Sequence, residues 1–353
     1  MRSSPSIKQV AAAAGVSVGT VSNVLNKPDV VAEATRLRVN AVIAQLGFVR
    51  NESARQLRAG SSRAVGLLVI DAANPFFADV ARGVEDAVQQ VGGVVLLGNS
   101  AGDGERERRY LELFEQQRVR GVLIAPTGDQ NPPLESLTRL GIPVVFVDRY
   151  PEDLAYSSVS VDDVAGGRLA ASHLVETGHR RIAFVGGPSS LRQVRDRKQG
   201  AEEVVGATQD GILLVISTPA LTTAAGRMAA DEIATLDDRQ RPTAVFAAND
   251  LIAIGLLSGL AAHGLRVPED VAIVGYDDIE FAEAAAVPLS SVRQPRIELG
   301  RCAAELLFTQ IRALEAHRPV QLEQVRFDCN LVVRRSSAPT AGRAGAASPA
   351  TRL

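Results

Sequence analysis

One short segment near the amino terminus, IKQVAAAAGVSVGTVSNVLN, carries small polar side chains at helical spacing. On the face opposite its apolar residues, its second half presents Val18, Gly19, Thr20, Ser22 and Asn23. The amide of Asn23 can bond bidentately to adenine in the major groove of DNA, and Val18 can contact a thymine methyl. Thr20, Ser22 and Asn26 are suited to phosphate contacts. These residue types predict a DNA-reading surface with few hydrogen-bonding groups.

Three short helices are expected to position these side chains. Gly15 ends the first helix, Ser17 caps the second, and Pro28 stops it. A third helix is predicted from about Ala32 to Leu46, with Leu37, Ala41 and Ala44 on one face. Two helices joined by a tight turn form a helix-turn-helix, whose second helix lies in the major groove. A three-helix bundle that binds no nucleic acid is the alternative.

The distribution of charge favours nucleic-acid binding at the amino-terminal end. Residues 1–63 contain nine Lys or Arg and three Asp or Glu, a net charge of +6, whereas the whole chain of 353 residues carries −2 and its remainder therefore −8. A basic head on an acidic body is what phosphate binding by one end requires. With 46% hydrophobic and 22% charged residues, the composition is that of a soluble globular protein, and the length predicts two or three domains.

Beyond residue 64, continuous apolar runs alternate with helical segments, which is the pattern of parallel sheets covered by helices on both faces. Eight runs have this character, at 65–70, 94–98, 121–126, 143–148, 182–187, 212–217, 244–249 and 271–277. Two series of four predict an α/β body of two doubly wound parallel-sheet lobes. Such sheets bind ligands at the carboxyl ends of their strands, which here means the cleft between the lobes. The predicted divisions are a helix-turn-helix head (1–50), a short helix and linker (51–63), the two-lobed body (64–335) and a disordered tail (336–353).

The segment AAGVSVGTVSNVLN, continuing through TRLRVNAVIAQLGFVRNESARQLRAG, resembles the lactose/galactose-repressor family of bacterial regulators. The resemblance extends along the chain in NPFF, GGP, RPTAVFAAND, GLRVPEDVAIVGYDD and LGRCAAELL. It implies lobes of the periplasmic-binding-protein type, and a cytoplasmic transcription regulator, by family habit a repressor, that binds a palindromic operator as a homodimer. It also implies that Val18, Gly19 and Asn23 are the main base readers. Ala32 departs from the family, which usually has a capping Ser there.

Residues 51–58 match the hinge helix of this family, which forms on DNA and enters the minor groove. Leu57 lies at the position of the leucine that wedges into a central base step and kinks the duplex. Ala54 is expected beside it, and Arg55 and Arg58 can neutralise flanking phosphates. So short a helix is unstable alone, so it is expected to order only when two protomers and DNA hold it. The alternative is a solvated linker in which Leu57 makes an ordinary apolar contact.

The resemblance also places a small-molecule effector between the lobes. The residues that it implies for the two walls of the cleft are Asn74, Phe76, Phe77 and Asp148 from the first lobe, and Arg197, Leu221, Asn249 and Asp277 from the second. Carboxylates, amides, a guanidinium and aromatic rings suit a sugar-like polyol. Leu221, however, stands where many members have an aromatic residue that stacks on the ligand. A nucleobase, an acidic metabolite and a phosphoprotein corepressor therefore remain alternatives.

Several of these cleft assignments also have a purely structural alternative. The two phenylalanines could belong to the core, and Asp277 could cap a helix together with Asp278. Arg197 lies in the charged run RQVRDRKQ, where Arg192 or Arg195 could take its place or all three could be solvated.

Other classes of function find little support in the sequence. GxGxxG after a strand, GxxxxGK[ST], HExxH and GxSxG are all absent, so no enzyme is predicted. The four histidines have no metal-ligand spacing, and neither Cys302 nor Cys329 lies in a CxxC, so no metal and no cofactor are predicted. No apolar run is long enough to cross a membrane. The amino terminus lacks the apolar core of a secretory signal, which argues against an exported solute-binding protein.

Overall fold

The computed structural model describes residues 5–48, 62–128, 133–150 and 155–338. Its internal contacts divide the chain into two units, residues Met1–Ser61 and Ser62–Leu353. The predicted hinge helix, with Ala54, Arg55, Leu57 and Arg58, lies outside the described residues. Within the described ranges, no helix combines the length and apolarity that a membrane span needs.

The first unit contains three α-helices among its described residues. They are α1 (Ile7–Ala14), α2 (Val18–Asn26) and α3 (Glu33–Leu46), with a 3₁₀ turn (Pro28–Val30) after α2. Their facing side chains form a small core of Val10, Ala11, Ala14, Val21, Val24 and Val39. The helix-turn-helix arrangement predicted from the sequence is therefore present.

Local sequence signals set the ends of these helices. Gly15 adopts a left-handed φ of 61° that ends α1 and permits the tight turn, and Gly47 ends α3 in the same way. Ser17 caps α2, because its Oγ accepts a hydrogen bond from the Thr20 amide at 3.0 Å. Ala32 precedes α3 without a side-chain cap, so α3 begins one residue later than predicted.

The face of α3 that carries Leu37, Ala41 and Ala44 is not the face that packs into the core. Leu37 is 60% exposed, and Ala41 and Ala44 are exposed too. The side chains that pack into the core are Val39, Val42 and Ile43. Because α3 has apolar residues on more than one face, periodicity alone could not select the face that contacts α1.

The second unit contains two six-stranded sheets. Its strands in chain order are β1 (Ala64–Val69), β2 (Val94–Asn99), β3 (Val122–Ile124), β4 (Val144–Val147), β5 (Ser157–Val161), β6 (Arg181–Gly186), β7 (Ile212–Ser217), β8 (Ala244–Ala247), β9 (Ala272–Asp277), β10 (Ser290–Arg293), β11 (Gln324–Phe327) and β12 (Asn330–Val332). The strand order is β11-β5-β4-β3-β1-β2 in the first lobe and β12-β10-β9-β8-β6-β7 in the second. All neighbours are parallel except β10 and β12.

Helices cover both faces of the two sheets. The described helices of the second unit are α4 (Pro75–Gln90), α5 (Gly104–Gln116), α6 (Glu135–Arg139), α7 (Asp163–Glu176), α8 (Arg192–Gly206), α9 (Thr223–Thr235), α10 (Asp250–Ala262), α11 (Glu280–Ala284) and α12 (Arg296–Glu315). Their close pairs are α4 with α12, α7 with α8, and α9 with α10.

The expectation of four strands in each lobe is wrong, although all eight apolar runs form strands. The additional strands are β5, β10, β11 and β12, and the first two are rich in serine. Ser158 and Ser160 in β5, and Ser290 and Ser291 in β10, are buried despite their hydroxyls. A search for continuous apolar runs passes over such strands.

The chain passes between the lobes three times. It enters the second lobe after β5 and returns to the first after β10, where α12 packs against α4, β4 and β5. It crosses once more between β11 and β12. Each lobe is therefore assembled from separate stretches of sequence.

The carboxyl-terminal end of the body extends beyond the predicted boundary at residue 335. Ser336 is buried, its Oγ donates to the carbonyl of Ile273 at 2.6 Å, and it accepts from the amide of Ser290 at 2.8 Å. Ser337 is also buried, and its Oγ lies 2.7 Å from His173 Nε2. A disordered tail beginning at residue 336 is therefore wrong for Ser336–Ala338, because these residues hydrogen-bond to the second lobe.

Candidate functional site

The exposed face of α2 carries the predicted DNA-reading residues. Val18, Gly19 and Asn23 are exposed, whereas Val21 and Val24 are buried against the other helices. The face therefore has the orientation that base reading requires, with the Asn23 amide as its main hydrogen-bonding group.

The other polar residues of α2 bond to one another locally. Thr20 Oγ1 lies 2.9 Å from Ser17 Oγ, and the Asn26 amide donates to the Ser22 carbonyl at 2.8 Å and to its Oγ at 3.1 Å. These local bonds orient the side chains of Thr20, Ser22 and Asn26, and their contact with phosphates stays a prediction.

In the second unit, Arg197, which is predicted to line the cleft, is buried at the centre of a polar network. The Nε atom of Arg197 donates to Asp163 at 2.7 Å, and one Nη donates to the Ala248 carbonyl at 2.8 Å. The same Nη lies 3.8 Å from an oxygen of Asp277, and the guanidinium stacks over the ring of Tyr276 at 3.7 Å from its centroid. Arg197 is 3% exposed, so this network lies away from water.

Close helix packing makes this network possible. A Cβ on Gly200 of α8 would lie 2.1 Å from the Val164 carbonyl, and one on Gly167 of α7 would lie 2.2 Å from the Arg197 carbonyl. Only glycine lets the two backbones approach this closely. The approach brings Arg197 within reach of Asp163, the first residue of α7.

The carboxylates around Arg197 are costly to ionise. Burial raises the pKa of Asp277 to about 6, although Arg197 and Gln294 oppose the shift. Burial also raises the pKa of Asp163 and, well above its usual range, that of Asp148. Burial works against the charge of Arg197, but Asp163 and other neighbouring carboxylates outweigh it and raise the pKa of Arg197. The arginine therefore stays charged.

Asp148 is the charged residue that is predicted for the first-lobe wall, and it is buried. It follows β4, and its Oδ2 accepts a 3.3 Å hydrogen bond from Gln193 on the opposite lobe. Its other oxygen, Oδ1, is buried and has no hydrogen-bond partner among the described residues. The same is true of Gln294 Oε1, at the crossing from β10 to α12. Two acceptors are thus available where the lobes meet.

Asp148 and Asp277 occupy equivalent places in the two sheets. They follow β4 and end β9, which have the same position in the strand order of their lobes. Both are non-glycine residues with positive φ, 57° and 103°, and the next residue, Asp278, also has a φ of 52°. Such backbone conformations are unfavourable and persist only where the surroundings hold them, which is frequent at binding sites.

The remaining predicted cleft residues have mainly structural contacts in this structure. Phe76 and Phe77 are buried in the core, with their rings edge to face at 4.9 Å. Asn74 caps α4, and Asn249 caps α10 while its amide donates to the carbonyl of Leu221 at 3.3 Å. Leu221 is half-buried against the cores of both faces of the second-lobe sheet.

The structure distinguishes Arg197 from the two other arginines of the charged run, and its role in effector binding stays a prediction. Arg192 pairs with Asp196 at 3.3 Å, and Arg195 donates to the carbonyl of Ser189 at 2.6 Å, both on the outer part of α8. Only Arg197 of these three is buried.

Sequence reasoning missed several polar residues at this site. They are Asp163, Gln193, Asp250, Tyr276 and Gln294. Asp163 lies two residues after β5 and Gln294 directly follows β10, so recognition of these strands would have revealed both. Asp250 is fully buried, accepts from Ser291 Oγ at 2.7 Å and from the Ile279 amide at 2.8 Å, and its pKa is raised by burial.

A helix-turn-helix and a two-lobed body with a polar cleft occur together in known proteins. The model "Bacterial regulatory proteins, lacI family" matches residues 6–51, and "Periplasmic binding protein-like domain" matches residues 171–337. The HTH-type transcriptional repressor PurR of Aliivibrio fischeri (strain MJ11) is 35% identical over 320 residues, covering 89% of this chain and 94% of that protein. The chain belongs to the LacI family. It is therefore a DNA-binding transcriptional regulator with a small-molecule effector, and the predicted family and fold class are confirmed.

Other members of the LacI family extend this likeness. The ribose operon repressor of Bacillus subtilis (strain 168) is 38% identical over 306 residues, covering 87% of this chain and 91% of that protein. The lac repressor dimer bound to operator and the anti-inducer ONPF superposes with a TM-score of 0.78 at 27% identity, covering 95% and 99% of the two chains. A LacI family regulator from Enterococcus faecalis V583 with bound ribose gives 0.70 at 33% identity, covering 78% and 99%. The named relatives are transcriptional repressors, not enzymes.

Proposed function

We propose that this protein represses transcription in the cytoplasm by binding a palindromic operator as a homodimer, and that a small neutral polyol in the interlobe cleft controls it. The effector class rests on one observation, the balance of donors and acceptors in the cleft. Arg197 is already engaged by Asp163 and by the Ala248 carbonyl, whereas Asp148 Oδ1 and Gln294 Oε1 have no partner among the described residues. A ligand with several hydroxyl groups supplies the missing donors.

An anionic effector fits this cleft poorly. Three buried carboxyl groups surround Arg197, and Asp163 and the Ala248 carbonyl already take up its donors, so Arg197 has little left to offer a phosphate or carboxylate on the ligand. A neutral sugar does not need such a cation. The ribose bound to the Enterococcus faecalis regulator, which is 33% identical, supports a sugar of this size.

A purine base is the second candidate, because relatives named PurR are 35% identical over most of the chain. The side chains favour the polyol. A flat base is best held by an aromatic ring, and Leu221 stands on the second-lobe wall while Phe76 and Phe77 are packed in the core. None of the described contacts favours a phosphoprotein corepressor over either small molecule.

A thermal-shift experiment on the full chain separates these candidates, because a ligand that binds the native state raises its melting temperature. D-ribose, cellobiose, hypoxanthine and ribose 5-phosphate are suitable probes. We expect a neutral sugar to raise the melting temperature and ribose 5-phosphate to leave it unchanged. Asp148→Asn should abolish the shift, whereas Asp238→Asn, at a 93% exposed side chain, should preserve it. Stabilisation by the phosphate ester alone would contradict the proposed effector class.

Exposed apolar surfaces support the homodimer. On the first lobe, Val94 and Leu97 of β2 are more than half exposed. On the second lobe, α10 and the segment after α11 form a groove lined by Ile254, Leu257 and Val287. Apolar patches of this kind are typical of subunit interfaces, and two-fold symmetry matches a palindromic operator.

Sedimentation tests the dimer. Leu257→Glu should yield monomers that lose operator affinity, whereas Leu169→Glu, on the outer face of α7, should stay dimeric. A wild-type chain that sediments as a monomer at micromolar concentration would contradict the interface.

The DNA-binding proposal is tested on an operator selected from random duplexes at a stated salt concentration. Leu57→Ala should weaken operator binding more than tenfold while sugar binding stays intact, because the hinge would lose its wedge. Leu37→Ala, on an exposed part of α3, is the matched control. Unchanged operator affinity of the Leu57 variant would refute the hinge assignment.

A further inference from the structure

Arg296 connects the two lobes at the strained turn that carries Asp277. One of its Nη atoms donates to the carbonyls of Asp277 and Asp278 in the second lobe, the latter at 2.6 Å. Its Nε donates to Asp79 Oδ2 at 2.8 Å, on α4 of the first lobe. The arginine and the aspartate are 17% and 29% exposed, so the pair is largely shielded from water. A single side chain thus joins both walls of the cleft.

The turn that Arg296 contacts is the part of the second-lobe wall that most needs support. Asp277 and Asp278 have φ values of 103° and 52°, which are unfavourable for residues with a side chain. Gln294 and Arg296 flank Pro295, and both bond to Asp277. The Gln294 amide donates to the Asp277 carboxylate at 2.7 Å, and Arg296 donates to its carbonyl.

Two other arginines hold the same turn, but only from within the second lobe. Arg293 and Arg334 each donate to the Asp278 carboxylate at 2.6 Å. If the turn needed nothing more than neutralisation of Asp278, these two would suffice. The bond to Asp79 is the distinguishing feature of Arg296.

We propose that Arg296 is a positioning residue that ties the orientation of Asp277 to the placement of α4 in the first lobe. A change at the Asp277 turn then moves the first lobe through Asp79, and a movement of α4 acts back on the turn. The Arg296–Asp79 pair thereby couples the conformation of the Asp277 turn in the second lobe to the position of α4 in the first, without itself contacting the effector. Its use in regulation rests on the proposed function, but the linkage itself does not.

Hydrogen exchange on the ligand-free full chain tests the linkage independently of any effector. The reporters are the backbone amides of residues 277–280 in the second lobe and 74–80 in the first. Asp79→Asn should speed exchange in 74–80 roughly tenfold and leave 277–280 nearly unchanged, because the arginine still holds the turn. Arg296→Met should speed exchange in both segments.

Arg293→Met is the matched control. It removes an arginine that bonds to the same turn, at Asp278, but that bond stays within the second lobe. It should affect 277–280 only. The proposal fails if Asp79→Asn leaves 74–80 unchanged, or if Arg293→Met loosens the first-lobe segment as much as Arg296→Met does. Asp79 is partly exposed, so Asp79→Asn should fold. Its exchange rates therefore test the proposal even if Arg296→Met does not fold.

A second measurement addresses regulation. With D-ribose as the probe, the ratio of operator affinities with and without sugar should fall at least threefold in Asp79→Asn, while sugar affinity changes less than threefold. If D-ribose does not bind the wild type, the proposed effector fails while the exchange result still stands. If the sugar binds and the ratio is unchanged, Arg296 has no regulatory use.

Discussion

The two walls of the cleft handle buried charge in opposite ways. In the second lobe, Arg197 bonds to Asp163 and lies near Asp277, and glycine packing of α7 against α8 brings Arg197 and Asp163 together. In the first lobe, Asp148 is equally buried, but among the described residues its carboxylate has one long bond, to Gln193, and an oxygen without a partner. The second wall is preformed, whereas the first is completed only when something else supplies donors. The difference suits a device in which one lobe holds the ligand and the other responds to it.

The largest expected effect comes from removing the cation of the preformed wall. Arg197→Met leaves Asp163 and Asp277 buried without a counter-charge, so the free energy of unfolding should fall by about 3–5 kcal/mol in denaturant titrations. Lys198→Met, next along α8 and paired with Glu202 at 2.9 Å on the surface, should cost less than about 1 kcal/mol. Equal losses would mean that the second wall is not held by its charges.

The next effect is a dependence of stability on pH. The pKa of Asp277 is raised to about 6 from an ordinary value of 3.8, so its carboxyl favours folding below the ordinary value and this contribution is lost as pH rises through about 6. The shift corresponds to about 3 kcal/mol. The difference in unfolding free energy between wild type and Asp277→Asn should therefore change across pH 4 to 6.

Asp270→Asn is the control with the opposite sign. Bonds from Arg266 lower the pKa of Asp270 to about 2, so its contribution is present above the ordinary value and is lost as pH falls toward 2. A flat difference for Asp277→Asn between pH 4 and 6 would show that the wall is better solvated than its burial indicates.

A smaller effect should follow from blocking the helix packing. Gly200→Ala places a methyl group 2.1 Å from the Val164 carbonyl, and overpacking of this kind costs about 1–3 kcal/mol. Gly206→Ala, at the end of the same helix with open space around it, should be neutral or stabilise by up to about 1 kcal/mol. Thermal melts of the two variants make the comparison, and matching melting temperatures would rule out the role of close packing.

The smallest effect is expected at the contact between the walls. Gln193→Leu removes a 3.3 Å bond to Asp148 and should change the unfolding free energy by about 1 kcal/mol. Gln199→Leu, whose amide bonds to Glu203 on the surface, serves as control in the same titration. A loss comparable to that of Arg197→Met would mean that the first wall is as fixed as the second.

Much of this architecture was readable from the sequence because burial on both faces of a parallel sheet demands continuous apolar strands. The eight runs between Val65 and Asp277 are continuous apolar segments, so they were recognised as strands. β5 and β10 were not, because both are rich in serine. Some of these hydroxyls bond to distant residues, as Ser290 Oγ does to the Arg334 carbonyl and Ser157 Oγ does to the Gln310 amide, whereas the hydroxyls of Ser158 and Ser160 have no hydrogen-bond partner among the described residues. Local composition cannot reveal bonds to residues more than forty positions away.

At the candidate sites too, features set by local sequence were predictable, and features set by tertiary contacts were not. Gly15 and Ser17 were predictable because turns and caps are local, whereas the buried face of α3 depends on which side α1 approaches. Arg197 was found through resemblance to the family, not through its spacing. Gln193 and Arg296 follow no motif, and only tertiary structure brings them to Asp148 and Asp79.

The three passages of the chain between the lobes have a consequence for biosynthesis. The first-lobe sheet cannot be finished until β11, at Gln324–Phe327, has left the ribosome, and α4 lacks its partner α12 until residue 315 has been made. For most of translation the nascent chain therefore displays an open strand edge at β5 and an uncovered apolar helix face, both of which invite aggregation. A premature stop codon between the end of α12 and the start of β11 would therefore remove β11 from the first-lobe sheet and β12 from the second, so that both lobes would be incomplete.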